Sequence, residues 1–435
     1  MQKKRSGLTR RTFLRGTAAA VAAPMIVSAS ALGRDGRVPA SERIIVGGIG
    51  IGNRGSHDLR WMLPEADVQF VATCDPQKAR REAVKKLVDT NYGNTDCKVY
   101  SDTRQFLAER TDIDAVLVTT GDRWHALASI MAMRAGKDVF SEKPSAMTLA
   151  EGQGVVETAR RYGRIYQTGV QRLSEGNFIF CNEMVKLGRL GKVHTVRAHI
   201  APWDAAEMRH DWLPEQPLPP KDQVDWDAWL GPCPWRPYNA AYCSGGWRGH
   251  YDFHTSCIGE WGAHTFAQCQ EAIGQERSSA VEYGYVANES GDGMKTRFSN
   301  GVIMTLERGN KWWRGSCGVR YEGDEGWVAA ADGYSQPDVS SPAMLADFRK
   351  IVSDYLARTG RAPSHMRNWL DCIKSRRPAV ADEVLMHRTM TTVHAANVCM
   401  WLKRDLKFDP AKEEFVNDAE ANRFCSRAMR EPWTI

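Results

Sequence analysis

Three side chains in two separate segments have the types that acid–base chemistry requires. Lys143 follows a short apolar run, and Glu260 precedes His264 by four residues. A positioned cation can stabilise an oxygen that gains negative charge, and an imidazole can transfer a proton near neutral pH. If the second segment is helical, Glu260 and His264 lie on one face, so the carboxylate could orient the imidazole or bind a hydroxyl group. We predict that all three are catalytic, the simpler alternatives being a surface lysine and an ordinary helix-surface pair.

A glycine-rich turn follows the first apolar run of the chain. Gly50, Gly52 and Gly55 fit the pattern G-x-G-x-x-G, and the second apolar run ends in Asp75. These glycines permit a tight turn, close approach of backbone N–H groups to a pyrophosphate, and close packing of the following helix. An acidic residue at the end of the second strand can bind a ribose diol, so the segment predicts a dinucleotide site that prefers NAD. Three basic residues after that strand keep NADP open as the alternative: Lys78, Arg80 and Arg81.

Several potential metal ligands surround the Glu260–His264 pair. They are His250, His254, Cys257, Glu260 and His264. Their types suit zinc, but their spacing matches no closed structural site. We therefore predict no metal and keep zinc as the weaker alternative.

Composition and charge bound the class of protein. With 435 residues, of which 43% are hydrophobic, the chain can bury a large core and is expected to form two domains. The first 31 residues hold six of the 58 basic residues and no acid, which leaves 52 basic and 52 acidic residues. This balance argues against nucleic acid as a partner. The 11 cysteines are odd in number and contain no C-x-x-C pair, so no disulfide framework is expected.

The first 31 residues have the features of a targeting segment. Arg10 and Arg11 form a twin arginine within T-R-R-T-F-L-R, a mildly apolar run covers 17–27, and residues 29–31 read Ala-Ser-Ala. This order matches a bacterial twin-arginine signal with an A-x-A cleavage site. The apolar run is too short to span a bilayer. We predict export to the periplasm and no membrane association beyond the signal.

The remaining chain changes character near residue 167. Residues 42–167 alternate strands and helices, which indicates an α/β domain with a parallel sheet. Its predicted strands are 44–49, 68–74, 115–119 and 138–140, and its helices are 53–59, 78–88, 103–108, 126–135 and 149–161. In this reading Asp122 caps the fourth helix and His125 lies in the loop before it.

Residues 168–435 are predicted to form the second domain. A helix at 174–187 and a strand at 193–200 precede a Pro/Trp-rich stretch, 202–250, with six tryptophans. So long a stretch is expected to be functional, with one or two of its tryptophans in a pocket. Later predicted strands are 279–286, 302–307, 318–321 and 327–330, and the last helices are 363–375 and 382–403.

Three motifs together resemble the Gfo/Idh/MocA family of NAD(P)-dependent sugar and polyol oxidoreductases. They are GIGIGNRG, the strand-end sequence Glu142-Lys143-Pro144, and GEWGAHT at 259–265. The resemblance covers the chain after the signal. It implies a Rossmann dinucleotide-binding domain followed by an α+β domain with an open, mainly antiparallel sheet, whose C-terminal helices return towards the first domain.

The resemblance also implies roles for single residues. In the family, the lysine of E-K-P contacts the nicotinamide ribose and the substrate hydroxyl, and a D-x-x-x-H pair supplies the other acid–base groups. Lys143 and His264 occupy those positions, Glu260 replaces the commoner aspartate, and residues 254–257 replace the usual glycines. The implied cofactor-binding residues are Gly50, Gly52, Asn53, Arg54, Gly55, Asp75, Thr120, His125, Glu142, Lys143 and Gln171.

The function implied is hydride transfer between NAD(P) and a hydroxyl group of a sugar, polyol or glycoside. The alternative is an NAD-dependent enzyme that cleaves glycosides by transient oxidation and elimination. A third class is a non-catalytic protein that binds a sugar or a nucleotide. The family resemblance also implies a homo-oligomer, either a dimer or a tetramer.

Overall fold

The structure, a computed structural model, describes residues 38–200, 208–287, 292–306 and 315–435. The predicted targeting segment 1–31 lies outside these residues. So do residues 201–207, which include the start of the Pro/Trp-rich stretch, and residue 307, the last of the strand predicted at 302–307.

Six parallel strands form the first sheet, in the order β3-β2-β1-β4-β5-β6. They are β1 Ile44–Ile49, β2 Val68–Cys74, β3 Lys98–Tyr100, β4 Ala115–Val118, β5 Asp138–Ser141 and β6 Tyr166–Thr168. The apolar runs at 44–49 and 68–74 are strands with the predicted bounds. Strand order reverses between β1 and β4, which opens a crevice at their carboxyl ends.

Five helices connect these strands. They are α1 Asn53–Met62, α2 Lys78–Tyr92, α3 Thr103–Glu109, α4 Asp122–Arg134 and α5 Leu149–Tyr162. Helix α4 begins four residues earlier than predicted, so His125 lies within it. Asp122 is not its cap, because Gly121 holds that position. The Asp122 carboxylate instead accepts hydrogen bonds from the Thr255 N–H, at 3.0 Å, and the Thr255 hydroxyl, at 2.8 Å.

Nine strands form the second sheet, in the order β13-β12-β11-β7-β10-β9-β8-β14-β15. They are β7 Val193–Ile200, β8 Glu282–Val286, β9 Gly293–Arg297, β10 Ile303–Leu306, β11 Cys317–Gly323, β12 Gly326–Ala331, β13 Asp338–Val339, β14 Leu406–Asp409 and β15 Glu414–Phe415. Only β7 and β10 pair in parallel among these described strands; the other pairs are antiparallel. The fold is therefore α/β, with a parallel sheet followed by a mainly antiparallel one.

Seven further α-helices follow β6 in the described residues. They are α6 Gly176–Lys186, α7 Trp226–Leu230, α8 Ser256–Ala272, α9 Phe348–Thr359, α10 His365–Ser375, α11 Glu383–Leu402 and α12 Ala419–Asn422. Helices α6, α8 and α11 pack on strands of the second sheet, whereas α10 packs in the core of the first sheet. Helix α8 packs on β7 and β11 and carries buried apolar residues into the core. Helix α11 contacts both α8 and α5, so it joins the second sheet to the first.

Two further properties bear on location and redox state. None of the helices in the described ranges combines the length and the apolar character needed to cross a membrane. All 11 cysteines lie within the described residues, and the structure forms no disulfide bond between them. Most of them are buried, where they act as small apolar side chains.

Candidate active site

The turn between β1 and α1 forms a close-packed cradle. Gly50 has a φ of +69°, which glycine adopts without strain, and a Cβ there would lie 2.8 Å from the Thr120 Cα. A Cβ at Gly55 would lie 2.0 Å from the Thr119 Oγ1, so α1 packs directly on the end of β4. Gly52 is the N-cap of α1, which directs the first free N–H groups of the helix at the turn. These features suit a pyrophosphate.

Asp75 lies at the carboxyl end of β2, where it is 5% exposed. Its Oδ1 accepts a hydrogen bond from the Gln77 N–H at 2.8 Å. Burial raises the pKa of Asp75 to about 6, although this hydrogen bond and nearby arginines act in the opposite direction. The second carboxylate oxygen remains available to ribose hydroxyl groups. Arg81 donates to the backbone oxygens of Asp75 and Asp222, at 3.2 and 2.8 Å, so its guanidinium is engaged within the protein.

A cleft with about 1070 Å³ of open space lies between this turn and the Pro/Trp-rich stretch. On one side it is lined by six of the predicted cofactor-binding residues: Gly50, Gly52, Asn53, Arg54, Asp75 and Thr120. On the other side it is lined by residues distant in sequence, among them Trp229, Cys243, Trp247, Arg248 and Trp433. Among the described tryptophans of the stretch, two therefore line a cleft, and that cleft adjoins the glycine turn.

Lys143 and Glu260 meet beside this cleft. The Lys143 Nζ lies 3.7 Å from the Glu260 Oε1 on α8 and 5.0 Å from the centre of the Trp261 ring. Arg248, a residue of the cleft wall, places its Nε 3.5 Å from the same oxygen, and the His254 Nε2 lies 3.1 Å from Oε2. Burial alone would raise the Glu260 pKa, but His254, Lys143 and Arg248 hold it well below its usual range. Glu260 is therefore an ionised carboxylate surrounded by three basic groups.

His264 contacts Arg172 rather than Glu260. The Arg172 Nη1 lies 2.9 Å from the His264 Nε2, and since a guanidinium only donates, the ring proton is on Nδ1. That Nδ1 is buried and has no hydrogen-bond partner within the part of the chain that the structure describes. Burial, and then the charge of Arg172, hold the His264 pKa well below its ordinary value. Two predictions are corrected: Glu260 does not contact His264, and His264 does not titrate near neutral pH.

Glu142 links the glycine turn to the start of the second domain. Its Oε1 accepts hydrogen bonds from the Arg54 Nε, at 3.2 Å, and the Gln171 Nε2, at 3.0 Å. The Arg54 Nη2 also lies 2.8 Å from the Oδ1 of the fully buried Asp58. Burial, and then the charge of Glu142, raise the pKa of Asp58 to about 9. Glu142 and Gln171 therefore contact each other behind Lys143.

His125 lies beneath the cleft rather than in its wall. Its Nδ1 is 2.7 Å from the Pro144 carbonyl oxygen and its Nε2 is 3.0 Å from the Thr120 carbonyl oxygen. The ring is 2% exposed, and the cleft wall above it is formed by Thr120. His125 therefore does not line the cleft as its predicted cofactor contact requires. Its ring instead connects the loop that carries Thr120 with the loop that carries Lys143.

Of the residues considered as metal ligands, His254 and Glu260 contact each other, whereas His250 and His264 have partners elsewhere. His254 contacts Glu260, His264 contacts Arg172, and the His250 Nδ1 lies 3.2 Å from the Asp211 carbonyl oxygen. Across the described ranges, no group of three or more His, Cys, Asp or Glu side chains is placed to hold a metal ion.

Ser256 occupies one of the positions where the resemblance implies glycines. Its φ is +68°, in the region that glycine favours, although Ser256 carries a side chain. The buried Oγ donates to the Asn397 Oδ1 at 2.7 Å and accepts from the Ile258 N–H at 3.2 Å. The backbone bend before α8 is thus kept, and hydrogen bonds across the core hold it in place of a glycine.

No motif identifies Arg248, which lines the cleft, or the pairing of His254 with Glu260. His254 and Glu260 are six residues apart, and only the bend at Ser256 turns the imidazole back towards the carboxylate. The only sequence signal that could point to Arg248 is its positive charge within the Pro/Trp-rich stretch.

Two family models match the chain. Residues 44–170 match "Oxidoreductase family, NAD-binding Rossmann fold", and residues 182–435 match "Oxidoreductase family, C-terminal alpha/beta domain" of the same Gfo/Idh/MocA group. The second match alone covers more than half of the chain. The chain belongs to the Gfo/Idh/MocA oxidoreductase family.

Two relatives share part of the chain. An inositol 2-dehydrogenase of Salmonella paratyphi B is 30% identical over 148 residues, 33% of this chain and 42% of the relative. Glycosyl hydrolase family 109 protein 1 of a Shewanella species is 30% identical over 181 residues, 40% of this chain and 39% of the relative. The matched part thus spans about two fifths of either relative's length.

A solved structure shows the same fold over most of the chain. The WlbA dehydrogenase from Bordetella pertussis, in complex with NADH and UDP-GlcNAcA, matches with a TM-score of 0.61 at 14% identity. The match covers 84% of this chain and 99% of the WlbA chain. At this identity the likeness establishes the fold.

The described residues fit NAD, the cofactor of this Gfo/Idh/MocA domain. The cradle at Gly50, Gly52 and Gly55 would hold the pyrophosphate, because the turn packs closely on Thr119 and Thr120 and brings the N-terminus of α1, without a side chain at Gly52, to the cleft. Asp75 would hold the adenosine ribose. When bound, NAD accepts or supplies a hydride, and the chain contributes binding, orientation and charge.

Proposed function

We propose that this chain is an NAD-dependent oxidoreductase that transfers a hydride between the cofactor and a hydroxyl-bearing carbon of a sugar, polyol or glycoside. The observation that carries the proposal is the 3.7 Å approach of the Lys143 Nζ to the Glu260 Oε1. Lys143 follows β5 of the first sheet, Glu260 lies on α8, which packs on the second sheet, and the two meet beside the cleft that the glycine turn lines. When an alcohol loses a hydride from carbon, its hydroxyl group must also lose a proton. The site therefore needs a group at this place that accepts the hydroxyl proton.

Lys143 and Glu260 divide this work. The Lys143 ammonium stabilises the substrate oxygen as it gains negative charge, since a preorganised cation in a buried site acts strongly on such charge. The ionised Glu260 accepts the proton or fixes the substrate hydroxyl, and Arg248 and His254 keep it ionised. Lys143 is 11% exposed and Glu260 is 19% exposed, so solvent competes little for either group.

His264 contributes a hydrogen-bond donor rather than a base. Its Nε2 faces Arg172, which leaves the Nδ1–H free for a ligand oxygen. Arg172 is held by the Asp332 carboxylate, with Nε to Oδ1 at 2.6 Å. We therefore assign His264 to substrate positioning, Lys143 to stabilisation of negative charge on the substrate oxygen, and Glu260 to proton transfer.

Single-turnover measurements on the NAD-loaded protein test these roles. Lys143→Met should retain NAD and lower the rate of nicotinamide reduction by roughly 100-fold, the loss typical of removing one electrostatic donor. Lys98→Met, at the exposed start of β3, is the matched control and should behave as wild type. A wild-type rate in Lys143→Met would contradict the assignment.

A second candidate function is glycoside cleavage by transient oxidation and elimination, with no net change in the cofactor. It is favoured by the partial similarity to a protein named as glycosyl hydrolase family 109. Incubation with glycosides separates the two functions. Release of the leaving group without accumulation of NADH would support cleavage, whereas stoichiometric NADH from a free sugar or polyol would support net oxidation.

We also propose export through the twin-arginine route and a homo-oligomeric state. Export rests on Arg10, Arg11 and the A-x-A site, and replacement of both arginines by lysine should stop periplasmic accumulation. Periplasmic protein at the wild-type level would contradict it. The face of the second sheet that helices do not cover provides a broad surface for association. Light scattering measures the molar mass in solution and so tests for the homo-oligomer.

A further inference from the structure

One wall of the cleft is built by residues 222–248, here called the cover segment. Its beginning is joined to the turn after β2 by two backbone hydrogen bonds. The Lys78 N–H donates to the Gln223 oxygen at 2.9 Å, and the Asp225 N–H donates to the Pro76 oxygen at 3.1 Å. Both bonds lie next to Asp75, the residue predicted to hold the adenosine ribose. The cover segment is thus fixed at the edge of the adenosine side.

Arg123 anchors the middle of the cover segment. Its guanidinium carbon lies 3.6 Å from the centre of the Trp229 ring, and its Nε and Nη2 donate to the Trp229 carbonyl oxygen at 3.0 and 2.9 Å. Arg123 is itself held from behind, because the Arg427 Nη2 donates to its backbone oxygen at 3.1 Å. Arg427 in turn forms a buried ion pair with Glu151. The middle of the segment therefore cannot leave the parallel sheet without breaking several buried interactions.

Arg80 closes the cleft from the opposite wall. It extends from α2, and its Nη2 donates to the Cys243 carbonyl oxygen of the cover segment at 3.0 Å. A Cβ at Gly52 would lie 2.8 Å from the Arg80 Nη1, so the guanidinium lies over the glycine turn. This single hydrogen bond connects the two walls directly above the predicted pyrophosphate position.

The C-terminal tail completes the enclosure. The Arg430 Nη1 lies 2.6 Å from the Asp227 Oδ1, and its Nη2 donates to the Gly231 carbonyl oxygen at 2.9 Å. These bonds place the buried Trp433 in the cleft wall, 4.9 Å edge-on from the Trp124 ring. Two parts of the chain outside the first sheet, the cover segment and the tail, thus wall in its adenosine side.

We propose that the cover segment and the tail form the outer half of the adenosine site, and that Arg80 and Trp433 hold the nucleotide in place from one turnover to the next. The inference rests on NAD binding in the proposed function. A nucleotide enclosed in this way leaves only after the Arg80–Cys243 bond opens. The same opening limits entry, so both association and dissociation are slow.

Stopped-flow displacement of NADH tests this inference without a substrate. Protein loaded with NADH is mixed with excess NAD, and the loss of energy transfer from tryptophan to NADH reports dissociation. Arg80→Met keeps every tryptophan and the arginine stem, and Trp433→Leu provides a second, independent variant. The matched control is Lys86→Met, an exposed position on the same helix.

Arg80→Met and Trp433→Leu should each raise the dissociation rate constant by about tenfold or more, the effect expected from loss of one charge-assisted hydrogen bond or one aromatic contact. The association rate constant should rise as well, so the dissociation constant changes less than either rate. Wild-type rates in both variants would overturn the inference and leave the proposed function intact. Failure of the wild-type protein to bind NADH would overturn both.

Discussion

Gly52→Ala and Gly55→Ala should separate cofactor binding from stability at the glycine turn. A Cβ at Gly55 would lie 2.0 Å from the Thr119 Oγ1 and 2.8 Å from the Thr119 Cβ, both too short for the atoms to remain in place. Helix α1 would have to move away from β4, at a cost of roughly 1–3 kcal/mol for an overpacked core. At Gly52, the φ of −95° suits alanine, and the methyl group would meet only the end of the flexible Arg80 side chain, at 2.8 Å.

The two variants should therefore give opposite results. Gly52→Ala should unfold within roughly 0.5 kcal/mol of wild type, as surface substitutions do, yet lose NAD affinity because its methyl group occupies the pyrophosphate position. In Gly55→Ala the main loss should be in the free energy of unfolding rather than in NAD affinity. Adding Thr119→Ala to Gly55→Ala removes the 2.0 Å contact and should restore part of the loss, a non-additive effect expected of neighbours.

Urea unfolding and NADH fluorescence titration measure the two quantities on the same samples. The refuting result is a Gly52→Ala protein that binds NADH with the wild-type dissociation constant. The pyrophosphate would then not lie on this turn, and the reasoning from the cradle would fail.

Three further changes test the electrostatics of the site. Arg172→Met should raise the His264 pKa towards its ordinary value, because a neighbouring positive charge is removed. Histidine NMR titration measures this change. The control Arg277→Met, which breaks the ion pair with Asp382, should leave the His264 pKa unchanged. Because the folded-state pKa of Asp58 is about 9, the contribution of Asp58 to stability should fall as pH rises from about 4 to 9, and Asp58→Asn should make the slope of stability against pH more positive by on the order of 1 kcal/mol per pH unit in urea unfolding. Asp75→Ser should bind NADP more tightly relative to NAD than the wild-type protein does, because the carboxylate that repels a 2′-phosphate is gone. The two dissociation constants measure this preference. Tighter binding of NADP than of NAD by the wild-type protein would contradict the predicted NAD preference.

Local sequence patterns predicted the parts of the fold that depend on neighbouring residues. The run 44–49 is almost entirely apolar because β1 is buried between two strands and two helix layers, and such a run needs no distant partner to be recognised. Lys143 could be found because it follows a buried strand within a short motif. The three-residue strands β3 and β6 escaped prediction, because so few residues show no period.

The charge arrangement of the site could not be predicted, since it depends on contacts between distant segments. Arg172 and His264 are 92 residues apart in sequence, yet Arg172 determines which ring nitrogen carries the proton. His254 faces Glu260 only because Ser256 adopts a left-handed backbone, which a serine rarely does. The enclosure of the cleft by Arg80 and the cover segment likewise requires the folded molecule.

Deuterium transfer to the bound nucleotide tests the central claim most directly. The NAD-loaded protein is mixed with sugars, polyols and glycosides deuterated on carbon, quenched within a turnover, and its nucleotide analysed by mass spectrometry. Deuterium should appear in the nucleotide of the wild-type protein and be nearly absent from that of Lys143→Met. Product formation without deuterium in the nucleotide, or equal transfer in Lys143→Met, would contradict it.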